Sequence, residues 1–338
     1  GHDRDIIHCV ACGQGCFDNL FKMKAVECLC NPRAGYEKKR PVIQAEKPLK
    51  IVVAGGGAAG MSAATAAAQR GHHVILHEKD NCLGGQLLLA GAPPGRDEFL
   101  ELSKNLIRQA ELAGVEVLLN SNVDSATFGD NHPDTVIVAT GGMPITPSIP
   151  GAELPHVVQA WDVLGGLAET GKRVAVIGGG AVGIETALLL AEEGTLSGED
   201  LKFLLVHGAE SADDLYNLAI HGSKDVTVIE MLEDLGKNFG KSTRWGMMQD
   251  VERFGVKTKS QAKVVRITAN SVCIERDGVV EEIGADTVVL AVGTKPYNPL
   301  EEMLKGLGLA TIVVGDAVKP AMVFEAIHSG FKAGCEVG

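Results

Sequence analysis

Lys50-Ile51-Val52-Val53-Ala54-Gly55-Gly56-Gly57-Ala58-Ala59-Gly60-Met61-Ser62-Ala63-Ala64 is the stretch that decides the fold. Ile51–Ala54 is an apolar run of buried-strand length; it ends on glycines, and an alanine-rich helix follows at once. The glycines fit G-x-G-x-x-G. Gly55 makes the tight turn, Gly57 lets the backbone approach a pyrophosphate, and Gly60 lets helix and strand pack closely. The helix start, with Ala58 and Ala59 in its first turn, offers free N–H groups and partial positive charge to phosphates. The next apolar run, His73-Val74-Ile75-Leu76-His77, ends on Glu78, at the distance where an acidic side chain binds ribose hydroxyls. A glycine triplet alone marks only a tight turn. Here strand, turn, helix, strand and terminal acid all agree on a dinucleotide site.

The same grammar restarts at Arg173-Val174-Ala175-Val176-Ile177, followed by Gly178-Gly179-Gly180-Ala181-Val182-Gly183 and a helix over Ile184–Glu193. Its acid is Glu230, at the end of Val226–Ile229. An extra stretch from Gly194 to Lys224 separates them and reads as a surface insertion with helices over Gly198–Val206 and Ala212–Ile220. An acid at Glu230 pairs with an unphosphorylated ribose and repels a 2′-phosphate, which predicts NADH over NADPH. Lys237, Lys241 and Arg244 lie downstream, within reach of such a phosphate. The fold class is therefore α/β, with two tandem Rossmann-like domains. Further strands are expected at Val115–Leu119, Thr135–Ala139, Thr287–Ala291 and Thr311–Val314, with a closing helix from about Ala321. Two such sites have a natural joint use: one holds a flavin and the other presents nicotinamide to it. Hydride transfer between the rings needs no protein nucleophile.

The remaining composition narrows the class. With 338 residues the chain holds two medium domains, and 42 glycines with only 4% aromatics suit a tightly packed α/β core. A net charge of -12 disfavours nucleic acid and anionic membrane surfaces as partners. No run reaches the length of a membrane span. Gly1-His2 reads as an expression-tag scar or an internal cut rather than a natural start, and no secretory signal is visible.

Cys9-Val10-Ala11-Cys12-Gly13-Gln14-Gly15-Cys16 followed by Cys28 gives C-x2-C-x3-C-x11-C, a metal-ligand spacing suited to a reducing cytoplasm. Three thiolates wrap one face of a cluster cube and a separated fourth closes it; Cys30 is a spare. Spacing leaves a [4Fe–4S] cluster and a structural zinc equally open, since both accept four thiolates. A charged, proline-punctuated linker, Glu37–Lys50, follows a short helical stretch at Phe17–Lys24.

In its order of motifs the chain resembles the two-dinucleotide-domain flavoprotein reductases, the group that contains glutathione reductase. Cys82-Leu83-Gly84-Gly85-Gln86-Leu87 is similar to their Gly-Gly loop along the flavin. Val138-Ala139-Thr140-Gly141-Gly142 is similar to the A-T-G strand end that closes the FAD site, with Leu290-Ala291-Val292-Gly293 as its NAD-domain counterpart. Val314-Gly315-Asp316-Ala317 is similar to the late G-D-A motif, whose Asp binds the ribityl–pyrophosphate region. The resemblance adds Lys79 and Val123 to the FAD contacts and places Glu185 near the nicotinamide, where the alternative is a helix-surface acid. The redox cysteine pair of the disulfide reductases is missing: Cys82 and Cys273 each stand alone, so disulfide reduction is not expected.

Asp18-Asn19-Leu20-Phe21 and Cys28-Leu29-Cys30-Asn31-Pro32-Arg33-Ala34-Gly35-Tyr36-Glu37 resemble the cluster segment of the 2,4-dienoyl-CoA reductase, trimethylamine dehydrogenase and 2-enoate reductase group. The likeness spans the whole chain. It implies a [4Fe–4S] cluster on Cys9, Cys12, Cys16 and Cys28, FAD in the first nucleotide domain and NADH in the second. It also implies an electron path onward to an FMN-bearing (β/α)8 barrel that reduces an enoyl-type substrate. That barrel needs about 250 residues and nothing before Cys9 supplies it, so a fragment or a separate barrel subunit is expected. Implied domains are 1–47 for the cluster, 48–158 plus 294–338 for FAD, and 159–293 for NAD(H). Two alternatives stay open: an ADP-binding structural module of the trimethylamine dehydrogenase kind, and a docking module with structural zinc. His72, His73 and His77 read as loop and strand-face side chains, and Trp161 and Trp245 as packing residues. Lys237-Asn238-Phe239-Gly240-Lys241-Ser242 lacks the strand and glycines of a Walker phosphate loop.

Overall fold

The computed structural model describes residues 2–128 and 132–338. The chain forms two compact units. The first takes residues up to Gly91, Arg96–Met143 and Thr294–Gly338; the second takes Ala92–Gly95 and Pro144–Gly293.

In the first unit five parallel strands lie in the order Ala310–Val313, Thr135–Val138, Lys50–Ala54, His73–His77, Glu116–Leu118. Lys50–Ala54 is central, paired to His73–His77 on one side and Thr135–Val138 on the other. Alternation sends Ile51 and Val53 into one core and Val52 and Ala54 into another. Both faces are therefore covered, which is why the strand is apolar throughout. The alanine-rich helix Ala58–Gln69 gives up side-chain bulk so that the closing helix, Val323–Glu336, can lie directly on it. A Cβ on Gly330 would stand 2.1 Å from the Ala59 carbonyl oxygen, and one on Gly334 2.3 Å from that of Ala63. The cysteine-rich segment joins this unit: Val10, Leu29 and Cys30 are buried in the same core as Ile51 and Met61.

The second unit repeats the plan with strands in the order Val157–Gln159, Thr287–Leu290, Arg173–Ile177, Asp225–Ile229, Lys257–Lys259. A three-stranded antiparallel sheet, Lys263–Ile267, Ser271–Arg276 and Val279–Gly284, packs beside it through Val264, Val272 and Ile274. Val157–Gln159 pairs with Thr287–Leu290 and so joins this unit's sheet. The insertion helices are Gly198–His207 and Ala212–Ile220.

Several expected bounds shift by a few residues. The helix in the cysteine segment stops at Phe21, where the chain turns back so that Lys24 N–H reaches the Asn19 carbonyl. The third strand is only Glu116–Leu118. Trp245 is 66% exposed and is not a packing residue; its indole N–H bonds the Ser242 carbonyl, a contact within its own helix turn. Among the described residues no helix is long and apolar enough to cross a membrane.

Candidate nucleotide and thiolate sites

Each glycine of the first fingerprint meets a distinct steric demand. Gly55 has φ +113°, and a Cβ there would be 2.3 Å from the Ala139 carbonyl oxygen. A Cβ on Gly60 would be 1.8 Å from the Gly55 carbonyl oxygen, so helix and turn could not close with any larger residue. A Cβ on Gly57 would meet nothing within 4 Å, so on that side the N-terminus of Ala58–Gln69 is open to a phosphate. The second fingerprint reproduces this: Gly178 has φ +110°, and a Cβ on Gly183 would be 1.8 Å from the Gly178 carbonyl oxygen.

The strand-end acids are fixed in the same way. Glu78 is buried, and its two oxygens accept the N–H groups of Gly56 at 2.7 Å and Asp80 at 2.9 Å. Glu230 accepts from Gly179 at 2.7 Å and Leu232 at 2.8 Å. A carboxylate offers about four acceptor positions, so both acids can orient their loops and still take ribose hydroxyls. Five residues beyond each acid a leucine, Leu83 or Leu235, folds over the middle glycine of its triplet. The next residue, Gly84 or Gly236, donates its N–H to that glycine's carbonyl at 3.0 and 2.7 Å. Gly84 is an expected site residue, whereas Leu83, Leu235 and Gly236 are not, although the equal spacing after Glu78 and Glu230 carries the signal.

Around the first fingerprint the other expected residues assemble. Gln86 Nε2 donates to Asp316 at 3.0 Å, and the other Asp316 oxygen accepts the Ala321 N–H at 3.2 Å. Gly84, Gly85, Gly141 and Gly315 all have positive φ. Thr140 donates its hydroxyl to the Tyr297 carbonyl, which ties the A-T-G turn to the chain returning from the second unit. Ala139 N–H donates to the Ala54 carbonyl at 2.8 Å, and its own carbonyl lies against the Gly55 turn. Lys79 is exposed beside Glu78, whereas Val123 is buried in the core on the far sheet face with Val52 and Val136. In the second unit Val182 is half exposed at the helix start, and Gly293 has φ +112°. Glu185 is buried rather than a helix-surface acid. A strand-end acid held by two backbone N–H groups in each unit, Glu78 buried and Glu230 half-buried, and the room left by the missing side chain of Gly57 fit a bound dinucleotide.

The cysteine segment is held by its own hydrogen bonds. Ala11 N–H donates to Cys9 Sγ at 3.4 Å, with Ala11 and Gly13 both at positive φ. Hydrogen bonding from the Cys30 thiol, with backbone N–H groups of Asn31 and Cys30, lowers the Cys28 thiol to about 5, while Cys30 is pushed up by the same contact. Burial raises Cys12, and the charges of Cys16, Cys28 and Cys9 raise it further. Backbone N–H groups thus reach Cys9 and Cys28, an environment that favours the thiolate form a metal or cluster ligand needs. Among the described residues, no three His, Cys, Asp or Glu side chains are gathered as a metal cage. The closing helix braces the segment: His328 Nε2–H donates to the Cys28 carbonyl at 2.9 Å, and Phe324 stacks on His328. Arg40 pairs with Glu27 and lies over the Tyr36 ring, and Arg33 bonds the Arg40 carbonyl.

Other conspicuous residues have local roles. His72 accepts the Leu49 N–H and His77 bonds Ser121, both buried, while His73 is exposed. Cys82 is exposed, and Cys273 is buried in the small antiparallel sheet.

Two Rossmann-type units, each with a complete fingerprint and strand-end acid, define a tandem dinucleotide-binding fold. Residues 49–319 match the model of the pyridine nucleotide-disulphide oxidoreductases, and the chain belongs to that family. It is 43% identical over 337 residues to a metal reductase of Desulforamulus reducens, covering 98% of this chain and 50% of that protein. It is 37% identical over 345 residues to the NADH oxidase of Thermoanaerobacter brockii, covering 100% of this chain and 48% of that protein. A solved 2-naphthoyl-CoA reductase superposes with a TM-score of 0.86 at 28% identity, over 99% of this chain and 47% of that one. These relatives are NADH:flavin oxidoreductases, and the chain spans about half the length of those it matches.

Proposed function

We propose that this chain is the electron-input module of an NADH-dependent flavin and iron–sulfur reductase whose FMN-bearing barrel lies outside it. The observation that supports this best is that both units keep an intact cradle and a fixed acid. When bound, FAD would supply two-electron acceptance and a [4Fe–4S] cluster single-electron carriage; that chemistry belongs to the cofactors. The protein's part is to bind and orient. Gly55, Gly57, Ala58, Ala59 and Gly60 would take the FAD pyrophosphate and Glu78 its ribose. Gly84–Gln86, Thr140, Gly141 and Asp316 would take the flavin side. Gly178, Gly180, Val182, Gly183, Glu230 and Gly293 would take NADH, with Glu185 near the nicotinamide. Glu230 selects against a 2′-phosphate by repulsion. Cys9, Cys12, Cys16 and Cys28 would hold the cluster, residues 1–47 forming its segment. The reduced substrate is of the unsaturated, enoyl type, and a reducing cytoplasm would suit the thiolates.

The test is a visible spectrum of the anaerobically purified protein before and after NADH, with iron and zinc analysis. Flavin bands that bleach with NADH, and iron near four atoms per chain, are the expected result. A colourless protein that still binds ADP would make the module structural. Zinc in place of iron would end the cluster assignment.

A further inference from the structure

The loops after the two acids keep the same spacing and backbone bonds up to the shared Leu83-Gly84 and Leu235-Gly236, and then they part. In the first unit Gly85 follows, so close that its Cβ would lie 3.2 Å from Gly57 Cα, and Gln86 turns away to Asp316. In the second unit Lys237 and Asn238 take those two places. Asn238 extends over the fingerprint: its Nδ2 lies 3.6 Å from where a Cβ on Gly180 would stand. Gly180 is the glycine whose missing side chain makes room for a pyrophosphate. A phosphate group seated there meets the Asn238 amide at the edge of its own space.

We infer that Asn238 is a nucleotide-binding residue of the second unit, its side-chain amide donating a hydrogen bond to a pyrophosphate oxygen of NADH. Arg244 is the positioning residue for this contact. Its Nε and Nη2 both donate to the Leu235 carbonyl, at 3.1 and 2.8 Å, and so fix the turn that carries Asn238. The guanidinium that faces the loop is thereby engaged with backbone and lies 3.9 Å from Asp234, instead of facing a ribose 2′-phosphate. The chemistry suits a cofactor that must leave after each cycle. At this place the first unit offers only Gly85, with no side-chain donor, whereas the second adds a neutral donor, Asn238, directly over the glycine that faces the pyrophosphate. Asn238 is thus the residue of the segment Lys237-Asn238-Phe239-Gly240-Lys241-Ser242 that lies over a Rossmann triplet, and the segment is not a Walker loop. The inference rests on the second unit binding NADH.

The experiment uses the full chain with FAD bound, titrated calorimetrically with ADP-ribose, which carries the pyrophosphate, and with adenosine, which does not. Asn238→Asp removes the donor and sets a carboxylate against the phosphates, so it should weaken ADP-ribose by at least about tenfold. Adenosine binding and the melting temperature should stay as in the wild type. Asn238→Ala, which cannot repel, should weaken ADP-ribose by about threefold or more. Unchanged ADP-ribose affinity in both variants would overturn the inference, as would an equal loss for ADP-ribose and adenosine. A wild-type chain that binds no ADP-ribose at all would instead overturn the nucleotide reading of the second unit.

Discussion

His77 shows how a single buried residue couples this fold to pH. It ends the strand that carries Glu78, is buried, and holds Ser121 through Nδ1 at 2.9 Å. Burial pushes its pKa below the ordinary 6.5, with Glu116 opposing in part. The folded protein therefore binds fewer protons than the unfolded chain once the pH falls below about 6.5, and stability must rise with pH there. The contribution is complete above that value and is lost as the imidazole is forced to protonate. His77→Gln, whose amide can keep the Ser121 bond, should flatten the decline in urea midpoint between about pH 6.5 and 5 and leave pH 8 little changed. An unaltered decline would assign it to other groups, among which His72 is buried and lowered in the same sense. At this scale the sequence is readable wherever backbone geometry singles out a residue type: Gly55, Gly60, Gly178 and Gly183 have no substitute. It is not readable where only a partner from elsewhere gives a residue its role. Ser121 reaches His77 from 44 residues away, and His328 reaches Cys28 from 300 away.

The insertion is the element that the repeat does not need. Its two helices are capped locally, Ser197 and Ser211 accepting the N–H groups of Asp200 and Asp214. They leave Phe203, Val206 and Tyr216 exposed. Its ends already meet: Ser223 N–H donates to the Glu193 carbonyl at 2.7 Å. Replacing residues 195–221 with a turn of about three residues should preserve the strand Asp225–Ile229, because loop length itself contributes little to stability. ADP-ribose affinity should stay within about twofold of the wild type. A tenfold loss would show that the insertion shapes the second site. Helix and strand periods located these elements to within a few residues, since local pattern governs them. The Phe17–Lys24 helix is shorter than its pattern suggests because a returning backbone bond to Asn19 ends it.

For the whole molecule, chain connectivity decides which part can stand alone. The second unit is nearly continuous, Pro144–Gly293, and carries its own cores around Val176, Val228 and Val289 and around Ile177, Val272 and Val288. The first unit needs its C-terminal piece: Ala310–Val313 completes the sheet, and Val323–Glu336 covers the alanine helix, Ser62 donating to the Ile327 carbonyl. Residues 144–293 made alone should fold and bind ADP-ribose. Residues 1–143 alone should show no cooperative melt, because the apolar face of Ala58–Gln69 has no cover. Calorimetry of the two fragments checks this, and a cooperative transition in 1–143 would show that the closing helix is dispensable.

By itself the sequence determined the two Rossmann units, their glycine turns and their acids, because each is a short-range pattern with one steric solution. It also set four cysteines at ligand spacing. Only the tertiary structure decided that Val123 belongs to a packed core, that Glu185 is buried, and that Trp245 is exposed. It alone brought the closing helix against the cysteine segment and Asn238 over Gly180. Those facts depend on contacts between residues distant in the chain, and no local pattern encodes which distant surfaces will meet.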